Sequence, residues 1–420
     1  MLSKRFIRAA ALAAALLLPL SAAFPARAHT RDEVRAAYRQ IRPWSEDSPY
    51  AEPPSTAAPY AEGALEEGAA GSALDALNFA RWLAELPPVE ESAIYDYQCR
   101  HGAVLLAALD YVDHNAPRPS DMDGNFYDSA HLATSSGNIA RFNWMRPSIL
   151  REGVEYFLRD DGDENLAALG HRRWALNPRM AATGFGLANS ASGMSYVVMY
   201  AHDQGRPDAE WDRVCWPSAG AFPAALMHGH LAWSVVLNPE KYDLAASDPR
   251  VTLSEETGGL HFSFHPAGGA GDGWCALNAE GYGAEPCLIF RTDFTGTDFT
   301  DYQQNQRWTV RVEGLLDAGG RAAALEYAVE MISLHAEDVV NVEIEPLRAE
   351  LAPGETLRLR ASVIPAYADD LSVAWRSTDD SVASVDADGL ARAVGPGSCE
   401  IIATGAGGVQ DACAVTVKQQ

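Results

Sequence analysis

The hydrophobic period of this chain changes once, near the stretch GHRRWALNPRMAATGFG at residues 170–186. Before it, apolar residues recur at helical intervals. ALDALNFARWLAEL places Leu74, Leu77, Ala80, Arg81 and Leu83 on helical spacing, and Pro87-Pro88 ends the run. YDYQCRHGAVLLAALDYVDHN puts Val104, Leu105, Ala108, Leu109 and Val112 on one face, and residues 147–158 predict a third helix closed by the turn DDGDEN. After His171 the pattern becomes extended. TGFGLA and SYVVMYA, separated by residues 189–193, predict a β-hairpin, and residues 214–335 read as many short strands. From Val339 the alternation is cleaner, with about seven strands in roughly eighty residues, the pattern of a small β-sandwich. Helices written first and strands afterwards make the chain α+β.

The first residues settle the expected compartment. A basic start (Lys4, Arg5, Arg8) leads into AAALAAALLLPL and then Ala26-Arg27-Ala28, so residues 1–28 read as a cleaved export signal. That core is too short for a comfortable membrane span, and no later apolar stretch reaches the roughly 18 residues such a span needs. The expectation is a secreted or cell-envelope protein with no transmembrane segment. Without the four basic residues of the signal, the formal charge falls from −25 to −29, a balance that excludes nucleic acid and anionic lipid as main partners. Residues 29–71, rich in Ala, Pro, Glu and Ser, read as a low-complexity linker or surface arm. Further divisions fall at residues 72–205, a β-rich middle domain at 206–337, and the sandwich at 338–420. Export permits disulfides among the six cysteines. A hairpin centred on Gly405-Ala406-Gly407-Gly408 would pair Cys399 with Cys413. Cys275 with Cys287 is the next expected pair, and Cys99 with Cys215 follows by elimination.

LNFARWLAELPPV, LDYVDHNAPRP, SSGNIA, and GHRRWALNP with TGFGLA occur in that order over residues 73–201. Together they resemble the four signature elements of the CAP superfamily (cysteine-rich secretory proteins, antigen 5, pathogenesis-related proteins), also called SCP-like. The resemblance implies an α-β-α sandwich at residues 72–205 with a cleft over its sheet. CWPSAGAFPAAL and AWSVVLNPEKY resemble the segment that accompanies bacterial members, and read as a packing surface. The run from Val342 to Val417, with VAWRSTDDSVASVDADGLARAVGPGS, resembles group 2 bacterial Ig-like modules, which are spacers and adhesion domains.

In the CAP superfamily the cleft holds two histidines and two acidic residues, which can bind a divalent metal. By resemblance His114 and His171 take the histidine positions and Asp160 one acidic position. Asn138 of SSGNI is a further cleft candidate. Where the family's GENI element supplies a second acid, this chain has Gly137. Two imidazoles and a carboxylate form an acceptable zinc set, so His114, His171 and Asp160 are the candidate metal ligands. Their structural alternatives are a helix cap, a bond across the sheet and a solvated acid. His131 is a candidate substitute ligand or a surface histidine. The Asp160–Glu164 run lacks EF-hand spacing and reads as a solvated turn. Ser135, Ser136 and Ser148 sit in no nucleophile elbow. Arg172 and Arg173 read as partners of the protein's own carboxylates in preference to an anionic ligand.

The expected role is recognition of an extracellular lipid, peptide or wall polymer through a degraded metal cleft. The alternatives are a metal-dependent extracellular hydrolase acting through His114 and His171, and surface adhesion through the Ig-like module. The missing acid argues against the hydrolase.

Overall fold

The computed structural model describes residues 28–419, apart from 45–46, 163, 257, 269–271, 285, 296, 298, 300, 336–337 and 366–367. The expected export signal, ending at residue 28, lies outside the described residues but for its last position. The described chain is β-rich with few helices.

The segment read as a linker is structured. Helix α1 (Arg31–Tyr38) opens with a capping box, in which Thr30 accepts from the Glu33 amide and Glu33 accepts from the Thr30 amide. Just ahead of it, His29 lies 3.7 Å from Trp82, centroid to centroid, and its carbonyl accepts from the Ala221 amide at 2.8 Å. Helix α2 (Glu67–Leu83) starts at Glu67, where the Glu66 carboxylate caps the Gly68 amide. Its first turns, Ala69, Ala70, Gly71, Ser72 and Ala73, are all buried. Small residues that look like low complexity are here a closely packed face.

Helix α3 (Ala93–Leu109) and helix α4 (Gly124–Ser136) cover one face of a three-stranded antiparallel sheet, and helix α5 (Ile149–Arg159), with α2 packed on it, covers the other. Strand order is Gly137–Phe142, Ser195–Tyr200, Phe185–Asn189. The central strand shows the period of two: Tyr196 and Val198 join the α3/α4 core, while Val197 and Met199 join the core on the other side. Its hairpin with Phe185–Asn189 runs Asn189 against Ser195, around a turn with Gly193 at φ 85°. A Cβ at Gly186 would lie 1.9 Å from the Cys99 carbonyl oxygen, so the glycine of TGFGLA is what lets α3 approach the sheet.

The middle segment builds two sheets. One runs Gly273–Asn278, Cys287–Thr292, Trp233–Leu237, Arg213–Trp216, and the other His261–Phe264, Arg250–Glu255, Arg307–Leu316, Ala322–Ile332, Gly220–Pro223. Trp233, Phe290, Tyr302, Trp308, Phe262 and Phe264 fill the space between them, and the Trp233 indole N–H donates to the Tyr302 hydroxyl at 2.7 Å. One continuous apolar cluster runs from Val34 to Ile332, so the core does not divide at residue 205.

Residues 339–417 have their own core. Three small sheets form it, the largest ordering Arg348–Leu351, Gln410–Val417, Gly397–Gly405, Val373–Ser377. The run ETLRLRASVI, which reads as one strand, breaks at the buried Leu359 and contributes to two sheets, which raises the strand number to nine among the described residues.

The cysteine expectations are corrected here, since all six thiols are free. Cys399 stands opposite Val415 and Cys413 opposite Ile401, because the turn centres one residue later than expected. The two cysteines are thus diagonal neighbours, farther apart than a directly opposed pair. Cys275 stands opposite Phe290 while Cys287 stands opposite Asn278, which puts them on opposite faces of their sheet. Cys99 belongs to the α3/α4 core and Cys215 to the other.

Candidate functional site

The site is organised by helix α6 (Gly170–Ala175), whose sequence is GHRRWA. Arg81, fully buried in α2, donates to the carbonyls of Ala175, Asn177, Met180 and Pro87 and so fixes the end of α6. Burial lowers its pKa to about 9, helped by the charge of Arg206, so at neutral pH these carbonyls still face a cation. Asn78 donates to the Val89 carbonyl and accepts from its amide. The Asn-x-x-Arg element therefore holds the loop after α2 and the histidine-bearing helix.

Arg172 and Arg173 pair mainly with backbone, against the expectation of carboxylate partners. Arg172 donates to the carbonyls of Leu158, Arg159 and Ala232, and Arg173 to those of Ala168, Glu280 and Ala284 and to the Asn278 side chain. They stitch α6 to the end of α5 and to the middle sheets.

Asp160 is the left-handed cap of α5, with φ 50°. Its side chain is fully buried. One oxygen accepts from the backbone N–H of His171 at 3.0 Å and the other lies 2.9 Å from His171 Nδ1. A carboxylate accepts only, so Nδ1 carries a proton, and in the neutral ring Nε2 is then the acceptor. The same reasoning applies to His114, whose Nδ1 lies 2.7 Å from the Thr134 carbonyl oxygen.

Both imidazoles line one cavity of about 420 Å³. Asn138 and Gly137 of the sheet strand, Ser135 of α4, Glu164 and Asn165 of the turn before α6, Trp174 and His202 complete it on this side, and Gly281 and Tyr282 reach in from the middle segment. Asn138 is buried and donates to the His171 carbonyl at 2.9 Å. His202 stacks on Trp174 at 3.9 Å. Desolvation, and then the neighbouring His114, holds its pKa below the ordinary imidazole value.

Of the residues named from sequence, His114, His171 and Asn138 meet in this cavity. Asp160 does not line it; its oxygens are turned to the backbone and Nδ1 of His171, where they position the ring. His131 lies outside the cavity, 5.5 Å from Tyr127 ring to ring. Ser135 donates to the His131 carbonyl at 2.7 Å and Ser148 to Glu152 at 2.5 Å. Glu164, Trp174, His202 and Tyr282 were not anticipated. Glu164 sits in the turn read as solvated, and its presence in DDGDEN beside His171 is the one sequence signal available. Gly137 cannot be replaced by an acid in this backbone, since a Cβ there would lie 2.6 Å from the Ala133 carbonyl oxygen and 2.9 Å from that of Met199.

A zinc site needs three protein donors converging on one point. Among the described residues no three His, Cys, Asp or Glu side chains form such a group. With Asp160 behind His171, the set His114, His171, Asp160 does not fit a metal as placed.

Residues 338–417 match the model of the bacterial Ig-like domain (group 2) family. A 3-O-alpha-D-galactosyl-alpha-L-arabinofuranosidase of Bifidobacterium longum subsp. longum is 46% identical over 57 residues, 14% of this chain and 5% of that protein. Among solved structures, an EHEC O157:H7 intimin mutant is 22% identical over 18% of this chain and 45% of its own, with a TM-score of 0.16. Domains 4 and 5 of the S-layer protein SbsC are 14% identical over 40% of this chain and 99% of their own, with a TM-score of 0.19. Likeness at that level carries no argument about the rest of the chain.

Proposed function

We propose that this chain is an extracellular or cell-envelope binding protein of the adhesion type. The bacterial Ig-like module at residues 338–417 is the observation that carries this reading. Modules of this kind hold a binding unit at a surface, and this one has a core of its own, as a spacer needs. No described helix is long and apolar enough to cross a membrane.

The recognition site in this reading is the histidine cavity. What supports a CAP-type unit at residues 72–205 is the layering of α3 and α4, three strands, and α5 with α2, together with the meeting of His114 and His171 over that sheet. The ligand is extracellular. A metal-dependent hydrolase would need a third donor beside the two imidazoles, and the Asp160 carboxylate is turned away from the cavity. A divalent cation held by two imidazoles alone would be bound weakly.

The test is retention on isolated cell envelopes of residues 29–420 against residues 29–337. Retention that falls when the module is removed supports the adhesion role. Equal retention of the two forms contradicts it.

A further inference from the structure

Two walls of the histidine cavity come from segments far apart in sequence, and the far wall is the loop between strands Gly273–Asn278 and Cys287–Thr292. That loop is docked firmly. The Asn278 amide donates to the Ala167 carbonyl at 2.9 Å, Arg173 binds the Glu280 and Ala284 carbonyls at 2.9 Å each, and a Cβ on Gly170 would lie 2.9 Å from the Tyr282 ring. The glycine before His171 is therefore what admits Tyr282 to the cavity.

We propose that the cavity takes a neutral, hydroxyl-rich saccharide, with Tyr282 as the aromatic wall that selects it. The proposal rests on the cavity being the recognition site. Four features of the lining converge on this ligand. First, the polar side chains lining the cavity both accept and donate: the Glu164 carboxylate accepts, as does Nε2 of His114 and of His171 in the neutral ring, while Ser135, Asn165 and Tyr282 carry donors. Sugar hydroxyls, which donate and accept at once, satisfy both. Second, among the described residues no Lys or Arg lines the cavity, so an anionic ligand would meet Glu164 without a compensating charge. Third, the guanidinium of Arg173 already lies over the Tyr282 ring, 5.3 Å from its centroid. That cation offsets the negative ring face and disfavours a second cation, leaving the ring suited to the neutral C–H face of a sugar. Fourth, an acyl chain would bury imidazole, carboxylate and amide groups without partners, at a cost of about 1–3 kcal/mol for each. The volume of about 420 Å³ is within the range of small-ligand sites.

The experiment presents residues 29–420 to an array of neutral oligosaccharides, uronic-acid-containing oligosaccharides, lysine-rich peptides and phosphatidylglycerol vesicles, and repeats the best neutral glycan by calorimetry with Tyr282→Ala, Tyr282→Phe and Arg173→Ala. The expected result is binding confined to neutral glycans, weakened about tenfold or more by Tyr282→Ala and held within about threefold by Tyr282→Phe. Thermal unfolding of each variant separates lost binding from lost folding, and a Tyr282→Ala protein that does not fold leaves Tyr282→Trp to test the wall by altered glycan preference. Preference for an acidic glycan, a peptide or vesicles overturns the ligand class. Neutral-glycan binding indifferent to every Tyr282 substitution overturns the role of the wall. If no probe binds while envelopes still retain the chain, the saccharide assignment fails and the recognition reading stands; if envelopes do not retain it either, both fail.

Discussion

His171 donates its backbone N–H to one oxygen of Asp160 at 3.0 Å and holds Nδ1 2.9 Å from the other. One buried carboxylate thus starts the helix that carries the ring and sets which ring nitrogen faces the cavity. Asp160→Ala removes a helix cap and a buried acceptor together. We expect a loss of about 2 kcal/mol in urea unfolding and a mixed His171 tautomer by nitrogen-15 NMR. A single Nδ1–H tautomer persisting in the variant would remove Asp160 from the positioning role.

Gly137 is required by sterics. Gly137→Ala would push a methyl group against the carbonyl oxygens of Ala133 and Met199, within 2.6 and 2.9 Å. The variant should lose at least about 2 kcal/mol of stability. Stability within about 0.5 kcal/mol of wild type would show that the backbone yields easily there.

Two buried groups contribute to the acid limb of stability. His101 packs 4.2 Å from Phe126 and donates to the Tyr97 carbonyl; desolvation is the main reason its pKa is lowered. The unfolded chain therefore takes up this proton first, and stability falls as pH drops below about 6.5 until the folded value is passed. Burial alone would raise the Asp203 pKa, but bonds from the Ala181, Ala182 and Gly205 amides and the Tyr95 hydroxyl outweigh it and leave it lowered. Its contribution is complete above about pH 4 and is lost as pH falls through the folded value. Urea midpoints at pH 7.5, 5.5 and 3.5 should decline in two stages, and His101→Gln should reduce only the first, to which the lowered pKa of His202 also contributes.

Arg35 ties the Ig-like module to the rest of the chain. Its guanidinium makes a bidentate pair with Asp369, both contacts at 2.7 Å, and donates to the carbonyls of Ser333 and His335. Arg35→Ala should cost about 1–3 kcal/mol and separate the module's calorimetric transition from that of the rest. Residues 338–420 alone, with their separate core, should still unfold cooperatively. An unchanged thermogram for the variant would show that the pair does not couple the parts.

Legibility in the sequence followed locality. The hairpin between Phe185–Asn189 and Ser195–Tyr200 and the strands of the Ig-like module were readable because alternation and a turn lie within a few residues. Helix α4 and the first turns of α2 were hidden by small and polar residues whose burial depends on distant partners. The register of Cys399 and Cys413 turned on where a glycine-rich turn centres, which composition does not fix. His114 and His171 were reached through motif resemblance, while the place of Asp160 depended on a left-handed residue at the end of α5. Tyr282 lies over a hundred residues from His171, and no local pattern connects them.

The most direct test of the account is envelope binding by residues 29–337, which lack the adhesive module, with and without His114→Ala and His171→Ala together, folding being verified by thermal unfolding. If the cavity is the recognition site, the double variant keeps its fold and loses most of its binding, by about tenfold or more as for removal of two central contacts. Binding equal to wild type from a folded double variant would contradict the assignment of the cavity as the place where this chain meets its ligand.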